Sequence, residues 1–190
     1  MTTPRFPQLD DADLDERQRE VVAQIVSGPR GAVKGPFQVL LHHPELALRL
    51  QHLGEHLRFG TGLPPELVEL VILLTARHWT SQYEWQAHRR IALTSTPLPA
   101  AVIDAIAQGE RPQDLSPELD AAYVFARECL TNGEPSDASY QRIEELFGRK
   151  GVLDIIALCG YYGLLACVLN TSRLPLPDNM PPPLQPLAAR

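Results

Sequence analysis

The chain has 190 residues, of which 44% are hydrophobic and 21% are charged, and its formal net charge is −6. This length and composition are typical of one globular domain with a sizeable core. The sequence has no run rich in Lys or Arg, so it lacks the basic footprint needed to bind nucleic acids or anionic membranes. We therefore expect a protein that binds neither nucleic acid nor membranes.

The three cysteines, Cys129, Cys159 and Cys167, form no C-x-x-C motif. An odd number without paired spacing argues against a disulfide framework and is typical of a reducing compartment. We expect these residues to act as small buried hydrophobic side chains. The N-terminal segment lacks the basic and then apolar pattern of a secretory signal, which predicts a cytoplasmic protein.

Apolar residues recur with helical period along most of the chain, and the first predicted helix spans Leu14–Val26. The glycine- and proline-containing segment Ser27–Gln38 predicts a long loop, and loops of this length are often functional. The next helix, His43–Gly60, has Pro44 in its first turn and ends on a glycine. Its predicted buried row is Leu46, Leu50, Leu53 and Leu57.

A strongly apolar helix comes next, with its start at Thr61–Pro65 and its body at Leu67–Leu74. We expect a break near Thr80, followed by a second helix over Ser81–Leu93. A short helix is predicted over Pro99–Gln108.

Capping residues bound the remaining helices. Ser116 and Gly133 bound one predicted helix, and Ser136 and Gly148 bound the next. The last helix, Gly151–Asn170, is the most apolar. Its run is interrupted by glycine and tyrosine, so we do not expect it to span a membrane.

These segments amount to about eight helices without a credible strand, which predicts an all-α fold. Residues 1–174 are expected to form a single helical domain. Residues 175–190 form a tail that holds six of the eighteen prolines. Such a tail is expected to be extended, and either free or draped over a partner.

The segment from Ser81 to Arg90, SQYEWQAHRR, concentrates polar and aromatic side chains directly after the apolar helix. On a helix, Ser81, Glu84 and His88 lie on one face. Glu84 and His88 are an i,i+4 carboxylate–imidazole pair, which is a suitable general acid/base unit. Tyr83 and Trp85 flank this face and could wall a pocket. Arg89 and Arg90 could hold a carboxylated ligand.

The same spacing has other interpretations. The face could be solvated and carry an ordinary ion pair. A serine triad built on Ser81 lacks the usual strand–turn–helix elbow. Zinc ligation by His78, Glu84 and His88 does not follow the H-E-x-x-H spacing.

Glu69 is a carboxylate within the apolar helix. Such a residue lies on the outer face or is buried with a partner. A break at Thr80 would fold the two helical segments together and let Glu69 approach the face of His88. Glu69 could then exchange protons with His88.

Two motifs carry a family resemblance: Glu66–Ala76, ELVELVILLTA, and Tyr83–His88, YEWQAH. With them the chain resembles the carboxymuconolactone decarboxylase family of the alkylhydroperoxidase D-like superfamily. The resemblance implies a bundle of about eight helices. It also implies a homo-oligomer, a trimer or a hexamer, with pockets near the subunit interfaces.

The redox branch of that superfamily uses a glutamate, a C-x-x-C motif and a histidine four residues later. In this chain the glutamate position falls on Glu69 and the histidine position on His88, whereas Ser81 and Glu84 occupy the two thiol positions. Without a thiolate, peroxide reduction by that route is not expected.

The Y-E-W-x-x-H string is similar to the decarboxylase branch instead. This similarity implies a carboxy-lyase that releases carbon dioxide from a small carboxylated lactone or related acid, with no metal or organic cofactor. The implied catalytic residues are His88 as the acid, Glu69 and Glu84 tuning it, and Tyr83 as donor to the substrate carbonyl. The candidate substrate-binding residues are Ser81, Trp85, Arg58 and Arg89.

Two other functions are compatible with the residues. One is a peroxide-reducing or disulfide-reducing relative, which the missing C-x-x-C disfavours. The other is a helical oligomeric binding protein without catalytic activity. Retention of Glu69, Tyr83, Glu84 and His88 together favours the enzyme.

Overall fold

The structure is a computed structural model that describes residues 3–177, 180 and 182–186. These residues form eight α-helices and no strand, so the predicted all-α fold is confirmed. The helices are α1 (Glu16–Ser27), α2 (Pro36–Leu40), α3 (Pro44–Phe59), α4 (Pro65–His78), α5 (Gln82–Ser95), α6 (Ala100–Gln108), α7 (Pro117–Asn132) and α8 (Asp137–Ser172).

Local capping explains where several helices begin and end. The Ser116 side chain accepts a hydrogen bond from the Leu119 N–H and starts α7, and Gly133 ends it in a left-handed conformation. The Ser136 side chain caps α8 in the same way. Gly148 has φ of 66° and ψ of 178°, which interrupts α8 at the predicted break.

Helix α4 is the centre of the bundle. It contacts α5, α6, α7 and α8, and every residue from Leu67 to Arg77 is buried. A helix that is apolar around its whole circumference must be enclosed by others. Each buried Leu, Ile or Val side chain in it contributes about 1.5–3 kcal/mol. The few polar side chains on α4 therefore need partners within the bundle.

Two expectations about local structure are wrong. The segment Ser27–Gln38 was expected to be loop throughout, whereas α2 begins at Pro36, where proline occupies the first helical turn. In α3, Leu46 and Leu53 are 39% and 41% exposed, so they are not in the buried row. The residues that α3 buries are Ala47, Leu50, Gln51, Gly54 and Leu57.

The buried face of α3 includes the small or polar residues Ala47, Gln51 and Gly54 as well as two leucines. This face lies against α1 and α8. Gly54 faces the Tyr161 hydroxyl of α8 so closely that a Cβ atom there would lie 2.2 Å from it. The contact surface thus selects the small residue, and the larger leucines one position away turn outward.

Helix α8 is long and apolar enough to cross a membrane by length and composition alone, with a mean hydropathy of 2.1 in its most apolar window. In the structure 61% of that window is buried inside the bundle. The core helix of a folded domain meets the same criteria, and α8 packs against α4 and α7 in this way.

The described part of the C-terminal tail lies on the chain's own surface rather than free of it. Leu184 is 2% exposed. Its N–H donates to Gln82 Oε1 at 2.8 Å, and its carbonyl oxygen accepts from Gln82 Nε2 at 2.9 Å. The Gln185 carbonyl oxygen accepts from an Arg77 Nη2 at 2.8 Å. The tail is thereby held against α4 and α5.

Candidate active site

A tight reversal between α4 and α5 brings the candidate residues together. Thr80 has φ of 47°, in the left-handed region that few non-glycine residues adopt. The Ser81 N–H donates to the Ala76 carbonyl oxygen at 2.8 Å, which closes the end of α4. The predicted break near Thr80 is confirmed, and it folds α5 back along α4.

His88 lies between the two acids that the sequence singled out. Its Nδ1 is 2.7 Å from Glu69 Oε2, and its Nε2 is 3.5 Å from Glu84 Oε2. All three residues are buried, with 3–6% of their surface exposed. A carboxylate oxygen accepts hydrogen bonds, so the contact with Glu69 Oε2 assigns the N–H group of the ring to Nδ1. The Nε2 end is then the one that faces Glu84.

Burial raises the pKa of Glu84 above the ordinary value of a glutamate, because a charged carboxylate is poorly solvated there. The neighbouring His88, Arg30 and Arg58 oppose this rise in the pKa, and the like charge of Glu69 adds to it. Glu84 is therefore biased toward the protonated form and can hold an exchangeable proton beside the imidazole.

Two tyrosines of α8 support the imidazole from the other side. The Tyr162 ring packs edge-on against His88, with 5.0 Å between ring centroids. Tyr161 packs in the same manner against Tyr162 at 5.2 Å. Burial raises the pKa of Tyr162 well above its ordinary value and that of Tyr161 to about 12. Both phenols therefore stay protonated at neutral pH.

Glu84 and His88 open onto a cavity of about 560 Å³. A cavity of this size is within the usual range for small-molecule sites. Its walls come from the loop before α2, from α3, α5 and α8, and from the tail. Its lining residues include Arg30, Lys34, Gly35, Arg58, Tyr83, Glu84, His88, Arg90, Tyr162, Pro177 and Met180.

The cavity is cationic although the chain as a whole is acidic. Four positively charged side chains line it, Arg30, Lys34, Arg58 and Arg90, against the single carboxyl group of Glu84. Within the described residues, none of these four is ion-paired with a carboxylate. Unpaired cations around a partly enclosed space attract an anionic ligand.

Arg30 is held in place by buried neighbours. Its Nε donates to Gln51 Oε1 at 2.7 Å, and its guanidinium lies over the Phe37 ring at 4.2 Å from the centroid. Gln51 is 3% exposed and Phe37 is fully buried. A guanidinium oriented in this way can present N–H groups to a ligand in the cavity.

Tyr83 lines the cavity directly beside the loop before α2. Gly35 of that loop has φ of 59°, and a Cβ atom on it would lie 2.9 Å from the Tyr83 ring. Only glycine suits both the backbone conformation and this close approach. Burial raises the pKa of Tyr83, and a hydrogen bond with the Gly35 backbone opposes that rise. Tyr83 can thus donate a hydrogen bond at neutral pH.

Of the four residues predicted to bind a ligand, Arg58 is the one that lines the cavity. Ser81 is fully buried under the reversal, and its Oγ has no hydrogen-bond partner among the described residues. Trp85 is 1% exposed and belongs to the core. Arg89 lies 3.8 Å from Asp104 of α6, away from the cavity wall. The geometry therefore supports a ligand contact for Arg58.

Sequence reasoning did not select Arg30, Lys34 or Tyr162. Arg30 and Lys34 lie in the predicted loop, whose glycine content was the available signal. Tyr162 lies within an apolar helix, where it resembles ordinary core. Long-range packing brings all three to the cavity, and no local spacing encodes that.

Within residues 3–177, 180 and 182–186, no group of three or more His, Cys, Asp or Glu side chains is arranged to hold a metal ion.

Comparison with known proteins identifies the fold. Neither a protein-family model nor a curated protein matches the sequence. Among solved structures, the chain is similar to an uncharacterized peroxidase-related protein from Ralstonia eutropha JMP134, described as an alkylhydroperoxidase AhpD core. The TM-score is 0.76, the sequence identity is 22%, and the match covers 94% of each chain. This chain has the alkylhydroperoxidase D-like fold.

Proposed function

We propose that this protein is a cofactor-independent carboxy-lyase that acts on a small carboxylated lactone or a related unsaturated acid. In this proposal His88 is the general acid, and the enzyme works in the cytoplasm. The observation that carries the proposal is the hydrogen bond of 2.7 Å between His88 Nδ1 and Glu69 Oε2. It orients the imidazole so that its Nε2 end faces Glu84 and the cavity.

The cationic lining supports an anionic substrate. Arg30 and Arg58 are both partly buried, and both lie close enough to lower the pKa of Glu84. A carboxylate bound there would be oriented by guanidinium N–H groups, which suit bidentate contacts. This anchoring would hold the reacting part of the substrate near His88.

The reaction would begin with the scissile carboxylate ionised in a weakly solvating part of the cavity. The bond between that carboxylate carbon and its neighbour breaks, carbon dioxide leaves, and the electron pair passes into the conjugated carbonyl. Tyr83 would donate a hydrogen bond to the carbonyl oxygen as negative charge develops on it. His88 would then deliver a proton from Nε2 to the carbon, Glu84 would return its acidic proton to Nε2, and a proton from water would restore Glu84.

Peroxide reduction through a C-x-x-C pair in this cavity is not supported by the residues. Ser81 and Glu84 occupy the two thiol positions. Ser81 is fully buried, and the Glu84 carboxyl group lies 3.5 Å from His88 Nε2. A hydroxyl and a carboxyl cannot form the disulfide that this chemistry requires.

The test is substitution of His88 by alanine. We expect His88→Ala to lower kcat about 100-fold or more for carbon dioxide release from unsaturated lactone carboxylic acids. His52→Ala is the matched control, because His52 is an exposed histidine of α3 outside this cavity. Circular dichroism checks that both variants stay helical. Full activity of His88→Ala on a substrate that the wild type decarboxylates would refute the proposal.

We also propose that the chain forms a homo-oligomer, a trimer or a hexamer, through the outer face of α8. Leu153, Ile156 and Leu164 lie on that helix and are 66%, 44% and 40% exposed. A row of exposed apolar side chains is typical of a protein–protein contact.

Replacing one of these residues tests the oligomer. We expect Leu153→Lys to lower the mass measured by analytical ultracentrifugation, because a charge on a buried contact is costly. Leu93→Lys is the control, since Leu93 is an exposed leucine on α5. A monomeric wild-type protein at micromolar concentration would exclude the oligomer.

A further inference from the structure

The cavity beside His88 has an apolar part as well as a cationic part. Ile91 of α5 and Leu165 of α8 line it, and the tail contributes Pro177 and Met180. These four side chains carry no charge and no hydrogen-bond donor, so they offer a ligand mainly apolar contact. A ligand that matches both parts of the lining has an anionic group and an apolar body.

Met180 belongs to this lining because other contacts hold the tail against α5. The Nε2 atom of Gln86, which lines the same cavity, donates to Met180 Sδ at 3.7 Å. Further along the tail, Leu184 is buried, and its backbone exchanges two hydrogen bonds with the Gln82 side chain. Gln82 and Gln86 are one turn apart on α5 and therefore lie on the same face of that helix. The two contacts thus place Met180 at the cavity and anchor Leu184 beside it.

Met180 is suited to contact a ligand rather than to fill the core. The residue is 39% exposed, so a large part of its apolar surface is not covered by the protein. A methionine side chain is flexible and polarizable, and its thioether packs favourably against aromatic rings. An apolar group bound in the cavity would remove that surface from water, which is favourable.

We propose that Met180 is a specificity-determining residue of the candidate active site, and that it favours acids with an apolar ring over small polar acids. The anionic group of the ligand lies beside Arg30 and Arg58, and the apolar ring lies against Met180 and Leu165. This specificity rests on the proposed function only in taking the cavity as the substrate site, and it requires no particular reaction there.

Isothermal titration calorimetry of the full-length protein with two anions tests this role. Hydrocinnamate has one carboxylate and a phenyl ring, and it is saturated beside the carboxylate, so it is not a substrate for the proposed reaction. Malonate has two carboxylates and no apolar body. We expect Met180→Ala to weaken hydrocinnamate binding about 5-fold or more and to leave malonate binding within about 2-fold of wild type. Met180→Leu keeps most of the apolar surface and should restore hydrocinnamate binding.

Two variants elsewhere in the tail separate this contact from a general effect. Leu184→Ala, which removes the anchor of the tail, should weaken hydrocinnamate binding as Met180→Ala does. Gln185→Ala is the matched control, because Gln185 is an exposed tail residue outside the cavity lining and the variant keeps its carbonyl oxygen for Arg77. It should bind both anions as wild type does. Circular dichroism checks that every variant stays helical.

Three outcomes would overturn the role of Met180. The first is a wild-type protein that does not bind hydrocinnamate. The second is unchanged hydrocinnamate affinity in Met180→Ala. The third is an equal loss of affinity for both anions, which would show that Met180 supports the whole cavity and does not contact the apolar ring. The proposed reaction fails separately, if the wild type binds hydrocinnamate but releases no carbon dioxide from lactone or unsaturated acids.

Discussion

At the scale of single residues, the candidate site depends on one imidazole held between two buried acids. Glu69 reaches His88 from α4 and Glu84 reaches it from one turn earlier on α5. The two acids have different roles because they face different ends of the ring. Glu69 orients the imidazole, whereas the raised pKa of Glu84 suits that residue to hold an exchangeable proton.

The protonation of Glu84 predicts a pH dependence of stability. Its folded pKa is raised, so its stabilising contribution is complete below the unfolded pKa of about 4.3 and is lost as pH rises through the folded pKa. Glu84→Gln removes this titration and keeps the shape of the side chain. We therefore expect the free energy of unfolding of the variant, relative to wild type, to increase as pH rises from about 4 toward neutrality.

Urea denaturation at a series of pH values measures this difference, and Glu144→Gln is an informative control. The hydrogen bond from Arg149 lowers the pKa of the partly exposed Glu144, so that residue stabilises the fold above its unfolded pKa. Its variant should show a small difference of the opposite sign. A flat difference curve for Glu84→Gln would mean that Glu84 is as ionised in the folded chain as in the unfolded one.

At the same scale, the sequence predicted part of the site. The contact between Glu84 and His88 could be inferred from the sequence, because the two residues are one helical turn apart. Arg30 could not, since its place in the cavity depends on contacts with Gln51 and Phe37 of other elements.

At the scale of elements, the packing of α3 against α8 positions both sides of the cavity. Gly54 of α3 lets the Tyr161 hydroxyl approach, and an Arg30 Nη2 lies 3.1 Å from where a Cβ atom on Gly54 would be. Tyr161 in turn packs against Tyr162, which packs against His88. The position of the His88 ring therefore depends, through Tyr161 and Tyr162, on the lack of a side chain at Gly54.

Gly54→Ala is expected to destabilise the fold by about 1–3 kcal/mol, because overpacking outweighs the gain in helix propensity of about 1 kcal/mol. The added Cβ atom would lie 2.2 Å from the Tyr161 hydroxyl oxygen. Thermal denaturation measures the change. Gly160→Ala is the matched control on α8, where nothing lies within 4 Å of the new Cβ atom. That variant should be as stable as wild type or up to about 1 kcal/mol more stable. Equal effects of the two substitutions would contradict the close contact.

At the scale of the whole molecule, the C-terminal tail completes the bundle. Pro177 and Met180 line the candidate active site, and Leu184 docks into the core beside Gln82. The tail also supplies a carbonyl oxygen to Arg77, which is 4% exposed. Burial lowers the pKa of Arg77. A buried guanidinium needs such acceptors, and the tail provides one that α4 cannot.

Leu184→Ala should release the tail and lower the free energy of unfolding by about 2 kcal/mol or more, because the substitution removes the apolar contacts of a buried leucine side chain. Gln185→Ala is the control, since it keeps the carbonyl oxygen that Arg77 donates to, and it should change stability by less than about 0.5 kcal/mol. Urea denaturation compares the two variants. If Leu184→Ala were as stable as wild type, the docking of the tail would contribute little to the fold.

The sequence by itself determined the helical architecture of this protein, because hydrophobic period and capping residues act over a few neighbouring positions. It predicted the break at Thr80, the end of α7 at Gly133 and the interruption at Gly148. Those features depend on local backbone preferences, which a short stretch of sequence encodes.

Only the tertiary structure decided which side chains share a space. It placed Arg30 in the cavity, turned Leu53 outward, and brought Leu184 of the tail against Gln82. Each of these outcomes results from contacts between elements distant in sequence. Such contacts are selected by packing of the whole bundle, and no spacing along one helix specifies them.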